Sequence, residues 1–215
     1  MSDRIVRVIG LTGGIATGKT TVSNYLADRY HFPVLDADVY AREAVQPGSP
    51  ILDAIVERYG PHILLSDGNL NRAELGNIVF NNLADRQWLE QLIHPYVRQC
   101  LVAGIQSCIS RCSSVSNDTV TVILAVPLLF EAKMADLCTE IWVVYCSPAV
   151  QLERLMQRDN LSFDRANARI NTQLPLAQKC QQADVVLDNS STLDSLLRQV
   201  DLLCFSRESQ AESSA

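Results

Sequence analysis

Lysine is scarce in this chain, and long apolar runs are missing. Of the 18 basic residues three are lysine, at positions 19, 133 and 179, and the rest arginine. No apolar stretch approaches the roughly 18 residues that cross a bilayer. The opening MSDRIVRVIG has neither the apolar core nor the cleavage site of a secretory leader, so a cytoplasmic protein is expected. The seven cysteines (100, 108, 112, 138, 146, 180 and 204) include no C-x-x-C pair, and no histidine stands near Cys108-x-x-x-Cys112 to complete a zinc site. They read as reduced core thiols. There is no excess of positive charge either: the net charge is −6, which argues against a nucleic-acid binder.

What is present is an alternation of apolar strands and helical stretches over 215 residues, enough for one α/β domain with an insertion. RIVRVIGL (4–11) reads as a buried strand, and 18–30 as a helix with Val22, Tyr25 and Leu26 on one face. FPVLDAD (32–38) is a second strand, VYAREAV a helix broken by QPGSP, and 51–60 a helix stopped by Gly60. After a turn at DGNL (67–70), residues 71–112 read as helical throughout. Leu89, Leu92, Ile93, Tyr96, Val97, Leu101, Ile105 and Ile109 form one stripe, and Pro95 is expected to kink or divide it. A loop at 113–118 precedes three more strands, 119–126, 140–146 and 183–189. Residues 148–181 between the last two read as helical, and a helix over 192–205 closes the chain. Strands separated by helices mean a parallel sheet with right-handed crossovers.

GLTGGIATGKT (10–20) follows the first strand and opens the first helix. Gly13, Gly14, Ile15, Ala16, Thr17, Gly18, Lys19 and Thr20 fit G-x-x-x-x-G-K-[ST], the phosphate-binding P-loop. Glycines let backbone N–H groups approach phosphate oxygens, and the helix N-terminus adds its positive end. Lys19 brings a full charge to the β- and γ-phosphates, and Thr20 a hydroxyl ligand for Mg²⁺. Thr21 completes the ATP-binding set. No aspartate lies three residues before any glycine and no lysine follows an asparagine, which excludes a regulatory GTPase; a large ATPase motor needs more chain. The reading is a small-molecule kinase: a three-layer P-loop α/β fold with a five-stranded parallel sheet, an inserted helical acceptor subdomain and a helical lid. The expected core is 1–60, 113–150 and 183–205. The acceptor subdomain is 61–112, the lid 151–182, and 206–215 a flexible tail.

Asp36 and Asp38 end the second strand, where a carboxylate can accept a hydroxyl proton. One of them is expected to cap the following helix; Asp38, farther beyond the strand end, is favoured as the base. Arginines 154, 158, 165 and 169 share a helical face if their segment is continuous, and fixed cations there would stabilise a transferring phosphoryl group.

At these motifs the chain resembles the dephospho-coenzyme A kinase family. The shared stretches are TGGIATGKT, DADVYAREAVQPG, DGNLNRAELGNIVF, LEQLIHP, PLLFE at 127–131, Arg154-x-x-x-Arg158, ARINTQ and ADVVLDN, in order from about residue 5 to 190. The resemblance implies ATP-dependent phosphorylation of the ribose 3′-hydroxyl of dephospho-coenzyme A. It also implies Asp38 as base with Arg42 near the acceptor, and His94 as a binding residue. Pro127, Leu128, Leu129 and Glu131 would line the acceptor cleft. Arg154, Arg158 and Arg169 would lie in the lid, Arg154 on ATP and the other two on the acceptor, with Asn189 near the adenine. Glu131 orients the acceptor or a metal-bound water, or caps a short helix after Pro127. Arg165 matches no motif and reads as solvated. The chain departs from the family where Ala16-Thr17 replace a common Gly-Ser, with Ala16 expected to stiffen the loop, and where Cys180 follows Lys179 in place of a basic residue. Another small P-loop kinase, of the shikimate or nucleoside monophosphate type, would share the loop and lid but lacks DADVYAR and PLLFE in this form. A nucleotide-binding regulator without turnover is the non-enzyme alternative. A monomer is expected.

Overall fold

β-Branched apolar runs punctuated by glycine, serine and asparagine dictate short strands and capped helices. The computed structural model, which describes residues 6–111 and 120–212, has that alternation. The loop expected at 113–118, Cys112, the first residues of the strands expected from 4 and 119, and the last residues of the expected tail lie outside the described residues. The chain divides into two compact units, Met1–Leu35 with Cys108–Ala215, and Asp36–Ser107.

The first unit is built on five strands: β1 (Val6–Gly13), β2 (Val34–Asp36), β3 (Val120–Ala125), β4 (Glu140–Tyr145) and β5 (Val185–Asp188). Their order is β2-β3-β1-β4-β5, with β1 in the middle and parallel to both neighbours; Ile9 lies level with Ile123, and Leu11 with Trp142. Such strands are covered on both faces, which is why β1, β3 and β4 are nearly continuous apolar runs. Alternation assigns Ile9 and Leu11 to one face. There they meet Val22 and Leu26 of helix α1 (Lys19–Tyr30) and Leu196 and Val200 of the closing helix α9 (Leu193–Glu212). Asp201 on α9 accepts hydrogen bonds from the hydroxyls of both Tyr25 and Tyr30, at 2.8 and 2.7 Å. On the opposite face Gly10 leaves room for Leu129 and Cys138. Burial pushes the Cys138 thiol up to about 12.

Helices α6 (Pro148–Asp159), α7 (Phe163–Ile170) and α8 (Leu176–Gln181) fill the stretch between β4 and β5. The sequence reads this stretch as helical throughout, but Asn160 in a left-handed conformation (φ 50°) ends α6, and Ser162 caps a new helix on the Arg165 N–H. The arginines expected on one continuous face are therefore split, Arg154 and Arg158 on α6 and Arg165 and Arg169 on α7.

The second unit contains α2 (Ala37–Glu43), α3 (Pro50–Tyr59), α4 (Arg72–Asn81) and most of α5 (Leu83–Arg111). Its own core comprises Val45, Leu52, Ile55, Ile63 and Leu75, with Trp88, Leu89, Ile93 and Tyr96 of α5 packed against them. This explains why α3, read from sequence as part of the nucleotide-binding core, joins the helical block: Leu52 and Ile55 complete its interior, and Ala44 and Val45, directly after α2, join them. Asp85 accepts from Arg58 at 2.8 Å and from the Tyr59 hydroxyl at 2.9 Å, and Arg58 lies 4.6 Å over the Trp88 ring. Three of the boundary differences from the sequence reading bear on the helices. β2 stops at Asp36, because the Asp36 carboxylate accepts the Asp38 N–H and starts a helix. The long helix divides at Asn82, whose side chain caps the N–H groups of Ala84 and Asp85, and not at Pro95, which α5 carries in its interior. α9 runs to Glu212, past the expected end at 205.

Gly10 is tightly enclosed within β1. A Cβ built there would stand 2.5 Å from Cys138 Sγ and 3.1 Å from Leu129 Cδ2. Gly10→Ala is expected to lower the unfolding free energy by about 1–3 kcal/mol, the usual cost of overpacking a core. A urea titration measures the loss. Adding Cys138→Ala should return part of it, and no recovery would place the clash elsewhere.

Candidate active site

β1 ends at Gly13 and α1 begins at Lys19, so Gly14–Gly18 must reverse the chain in five residues. The loop is fixed partly by itself: Thr17, fully buried, donates both its N–H (3.3 Å) and its hydroxyl (2.9 Å) to the Gly14 carbonyl. Gly18 sits at φ 105°, which disfavours any side chain, and a Cβ there would drive into the Asn189 amide. Ala16 is also left-handed, at φ 61°. A non-glycine residue in that region costs roughly 1–2 kcal/mol, so Ala16 strains the loop where sequence reasoning expected only stiffening. Lys19 and Thr20 fall in the first turn of α1, where the backbone N–H groups face outward along the axis; Thr20 and Thr21 are exposed.

Asn189 follows β5, and its Nδ2 donates to the Thr17 carbonyl at 2.8 Å. The residue expected beside the adenine is thus buried as a brace of the phosphate loop. Two more side chains reach the loop. Gln151 on α6 donates to the Ile15 carbonyl at 2.9 Å, and Gln173, after α7, accepts the Ile15 N–H at 2.9 Å. Arg154 lies one helical turn beyond Gln151 on the same side of α6. It stands beside the buried Cys146 thiol, which burial pushes up while the guanidinium pulls it back. Arg158 and Arg169 converge on Asp159, at 2.8 and 2.7 Å, and those contacts, Arg158 foremost, hold the Asp159 carboxyl below its usual range. Arg165 is exposed.

The turn after β3 behaves differently from expectation at two positions. Leu129 is fully buried against the sheet near Gly10, so its side chain is a core element and not a cleft wall. Residues 127–133 form successive turns and not a helix, and Glu131 caps nothing. Its Oε1 accepts the Leu174 N–H at 2.9 Å and pairs with Lys179 Nζ at 2.8 Å. Lys179, completely buried, also donates to the Pro127 carbonyl at 3.0 Å. Pro127 and Leu128 remain partly exposed.

In the second unit, Asp36 is the cap of α2, which leaves the capping role closed to Asp38. Asp38 is exposed one turn before Arg42 on the same helix face. His94 stands on α5 immediately before Pro95, partly buried. Burial holds its imidazole below the ordinary histidine range, with Glu90 pulling weakly the other way.

Comparison with solved structures returns this architecture in small kinases. The Acinetobacter baumannii shikimate kinase, crystallised with shikimate, superposes with a TM-score of 0.52 at 15% identity over 94% of each chain, a likeness of fold. A dephospho-CoA kinase from Campylobacter jejuni gives 0.67 at 24% identity, over 94% of this chain and all of that one. The family model for dephospho-CoA kinase matches residues 7–195. The chain belongs to the dephospho-CoA kinase family. The dephospho-CoA kinase of Trichormus variabilis is 58% identical over 196 residues, covering 91% of this chain and 95% of that protein. That of Synechocystis sp. is 53% identical over 194 residues, covering 90% and 92%. The sequence reading of this dephospho-CoA kinase family member missed Thr12, Gln151, Gln173 and Lys179 around the loop. Two had a signal: Lys179 is one of three lysines, and Gln173 closes the ARINTQ motif from which only Arg169 was drawn.

His94 gives a pH dependence with a defined sign. Its folded-state pKa lies below the unfolded value, so the unfolded chain binds the proton first and stability falls as pH drops through about 6.5. The melting temperature should therefore fall less between about pH 7.5 and 5.5 in His94→Gln than in the parent chain. Equal losses in both would show that His94 is not held neutral by the fold.

Proposed function

We propose that the chain transfers the γ-phosphoryl group of ATP to the ribose 3′-hydroxyl of dephospho-coenzyme A, giving coenzyme A and ADP, the last step of coenzyme A biosynthesis. Family membership over nearly the whole chain carries this reading. The likeness to shikimate kinase extends to fold alone.

The residues divide by task. Gly13–Thr21 receive the triphosphate, with Lys19 countering charge on the β- and γ-oxygens and the first turn of α1 lending its dipole. Asp38 takes the proton of the acceptor hydroxyl as its oxygen attacks the γ-phosphorus and the bond to the departing ADP oxygen breaks. Arg42, His94, Pro127 and Leu128 bind the acceptor. Arg154, with Arg158 and Arg169 once released from Asp159, balances charge on the transferring group. The donors present suit Mg²⁺. Thr20 offers one hard hydroxyl oxygen, and among the described residues no cluster of acids, histidines and cysteines could hold a metal by itself. That is the pattern of an ion carried in by substrate phosphates and water. When bound, the ion supplies neutralisation of the β- and γ-phosphate charge. A monomeric, cytoplasmic enzyme is the accompanying reading; no helix among the described residues is long and apolar enough to cross a membrane.

A coupled ADP-release assay with Mg²⁺-ATP tests the reaction. Turnover is expected with dephospho-coenzyme A and not with shikimate or a nucleoside monophosphate; the reverse pattern would remove the acceptor assignment. In the same assay Asp38→Asn should lower kcat by roughly 10²–10⁴ with ATP binding intact, the ordinary worth of a general base. Lys19→Ala should weaken ATP binding and turnover together. Near-parental turnover of Asp38→Asn would exclude it as the base.

A further inference from the structure

The phosphate loop is held at one residue from two sides. Gln151 donates to the Ile15 carbonyl while Gln173 accepts the Ile15 N–H, each at 2.9 Å, so both backbone groups of Ile15 are satisfied by side chains of the segment between β4 and β5. Neither glutamine is placed by chance. Gln151 is 95% buried on α6. Gln173 sits next to Leu174, whose N–H is fixed by Glu131, and Glu131 is itself fixed by Lys179. Lys179 Nζ then joins the Pro127 carbonyl, which also accepts the Thr12 hydroxyl at 3.1 Å from the last turn of β1. The chain of contacts closes on itself: β1, the turn after β3, α8, residues 173–174, and back to the loop that β1 launches.

We infer that Gln173 is a positioning residue of the ATP site, setting the loop in register with the arginine-bearing helices. The inference rests on the function proposed above and deepens it. Ile15 satisfied from outside has no cause to turn its N–H toward phosphate, and the inward groups are left to the residues after it. Glu131 and Lys179 act one step back, by placing residues 173–174. The burial of Lys179 is then explained: an ammonium taken fully out of water is costly unless it is paired and hydrogen-bonded, and here it holds two elements at once. The remaining oxygen of Glu131, Oε2, is buried with no hydrogen bond from the described residues, so its place is set by Oε1 alone.

Two variants of the full chain test this. Gln173→Met keeps the length and loses the acceptor; Gln173→Glu keeps the acceptor. The first readout needs no catalysis: hydrogen exchange at the Ile15 amide, followed by NMR without nucleotide. The amide should be protected in the parent and in Gln173→Glu and unprotected in Gln173→Met. The second is kinetic. Gln173→Met should raise KM for ATP about 2- to 12-fold, the worth of one hydrogen bond, with KM for dephospho-coenzyme A unchanged. An Ile15 amide that exchanges as fast in the parent as in Gln173→Met overturns the inference. So does a Gln173→Met protein whose melting temperature falls while both KM values rise together, because that is a merely structural loss. Were the parent inactive on dephospho-coenzyme A, the proposed function would fall while the exchange experiment still decided the clamp.

Discussion

A loop proposed to offer backbone N–H groups to a polyphosphate can spare few of them to hold itself in shape. That constraint organises the first unit. A helix or strand is stabilised by its own ladder, whereas Gly14–Gly18 has one backbone contact of its own, Thr17 N–H to the Gly14 carbonyl, and is otherwise braced by side chains. The braces come from four directions. Thr17 folds back on Gly14, Asn189 takes the Thr17 carbonyl from the end of β5, and Gln151 and Gln173 take the two sides of Ile15. All are neutral amides or hydroxyls. A carboxylate in any of these places would repel the ligand, and a cation would compete with Lys19 for it.

The central position of β1 follows from the same demand. A strand at a sheet edge is hydrogen-bonded on one side, but β1 is bonded to β3 and β4, with Ile9 and Leu11 completely buried. Its C-terminal end is therefore the least mobile point from which to start a strained turn. Parallel pairing brings the ends of β3, β4 and β5 to the same side, so Pro127, α6 and Asn189 all emerge near Gly13. The buried Lys179–Glu131 pair extends this rigidity to residues that no strand reaches. Its desolvation is offset by the ion pair itself, by the Pro127 carbonyl on Lys179 and by the Leu174 N–H on Glu131.

The parts of this arrangement visible in the sequence are those written in local pattern. β1, α1 and the P-loop share one unbroken stretch, and each of the five strands lies within about two residues of its expected place, with β2 and β5 the most shortened and β1 carried past its expected end to Gly13. Asp36 as a cap and Asp38 as the remaining carboxylate follow from the geometry of a helix start. The two glutamine braces are not visible because each is a contact over a long sequence separation, 136 residues for Gln151 to Ile15 and 158 for Gln173. A glutamine has no chemistry of its own to betray such a task. Leu129 was misjudged because it belongs to a recognisable motif, and motif membership does not distinguish a wall of the cleft from its support. The break in the arginine helix turned on Asn160, a residue that tolerates the left-handed conformation and so ends helices without glycine.

Pro95 makes the same point for the second unit. Proline inside a helix costs about 3 kcal/mol and deprives the carbonyl four residues earlier of its donor. α5 nevertheless runs unbroken through 29 residues. Packing of Leu89, Leu92, Ile93 and Tyr96 against the second core offsets that cost, which is why the stripe and not the proline decided the helix. The consequence is local: in the turn from Gln91 to Pro95 the Gln91 carbonyl has no helical N–H to accept, and His94 stands beside it, partly buried and held neutral. A neutral imidazole offers one donor and one acceptor, and a carbonyl freed of its i+4 N–H is a further acceptor nearby. Under the function proposed above, that set is the one His94 would offer to hydroxyl and amide groups of the acceptor.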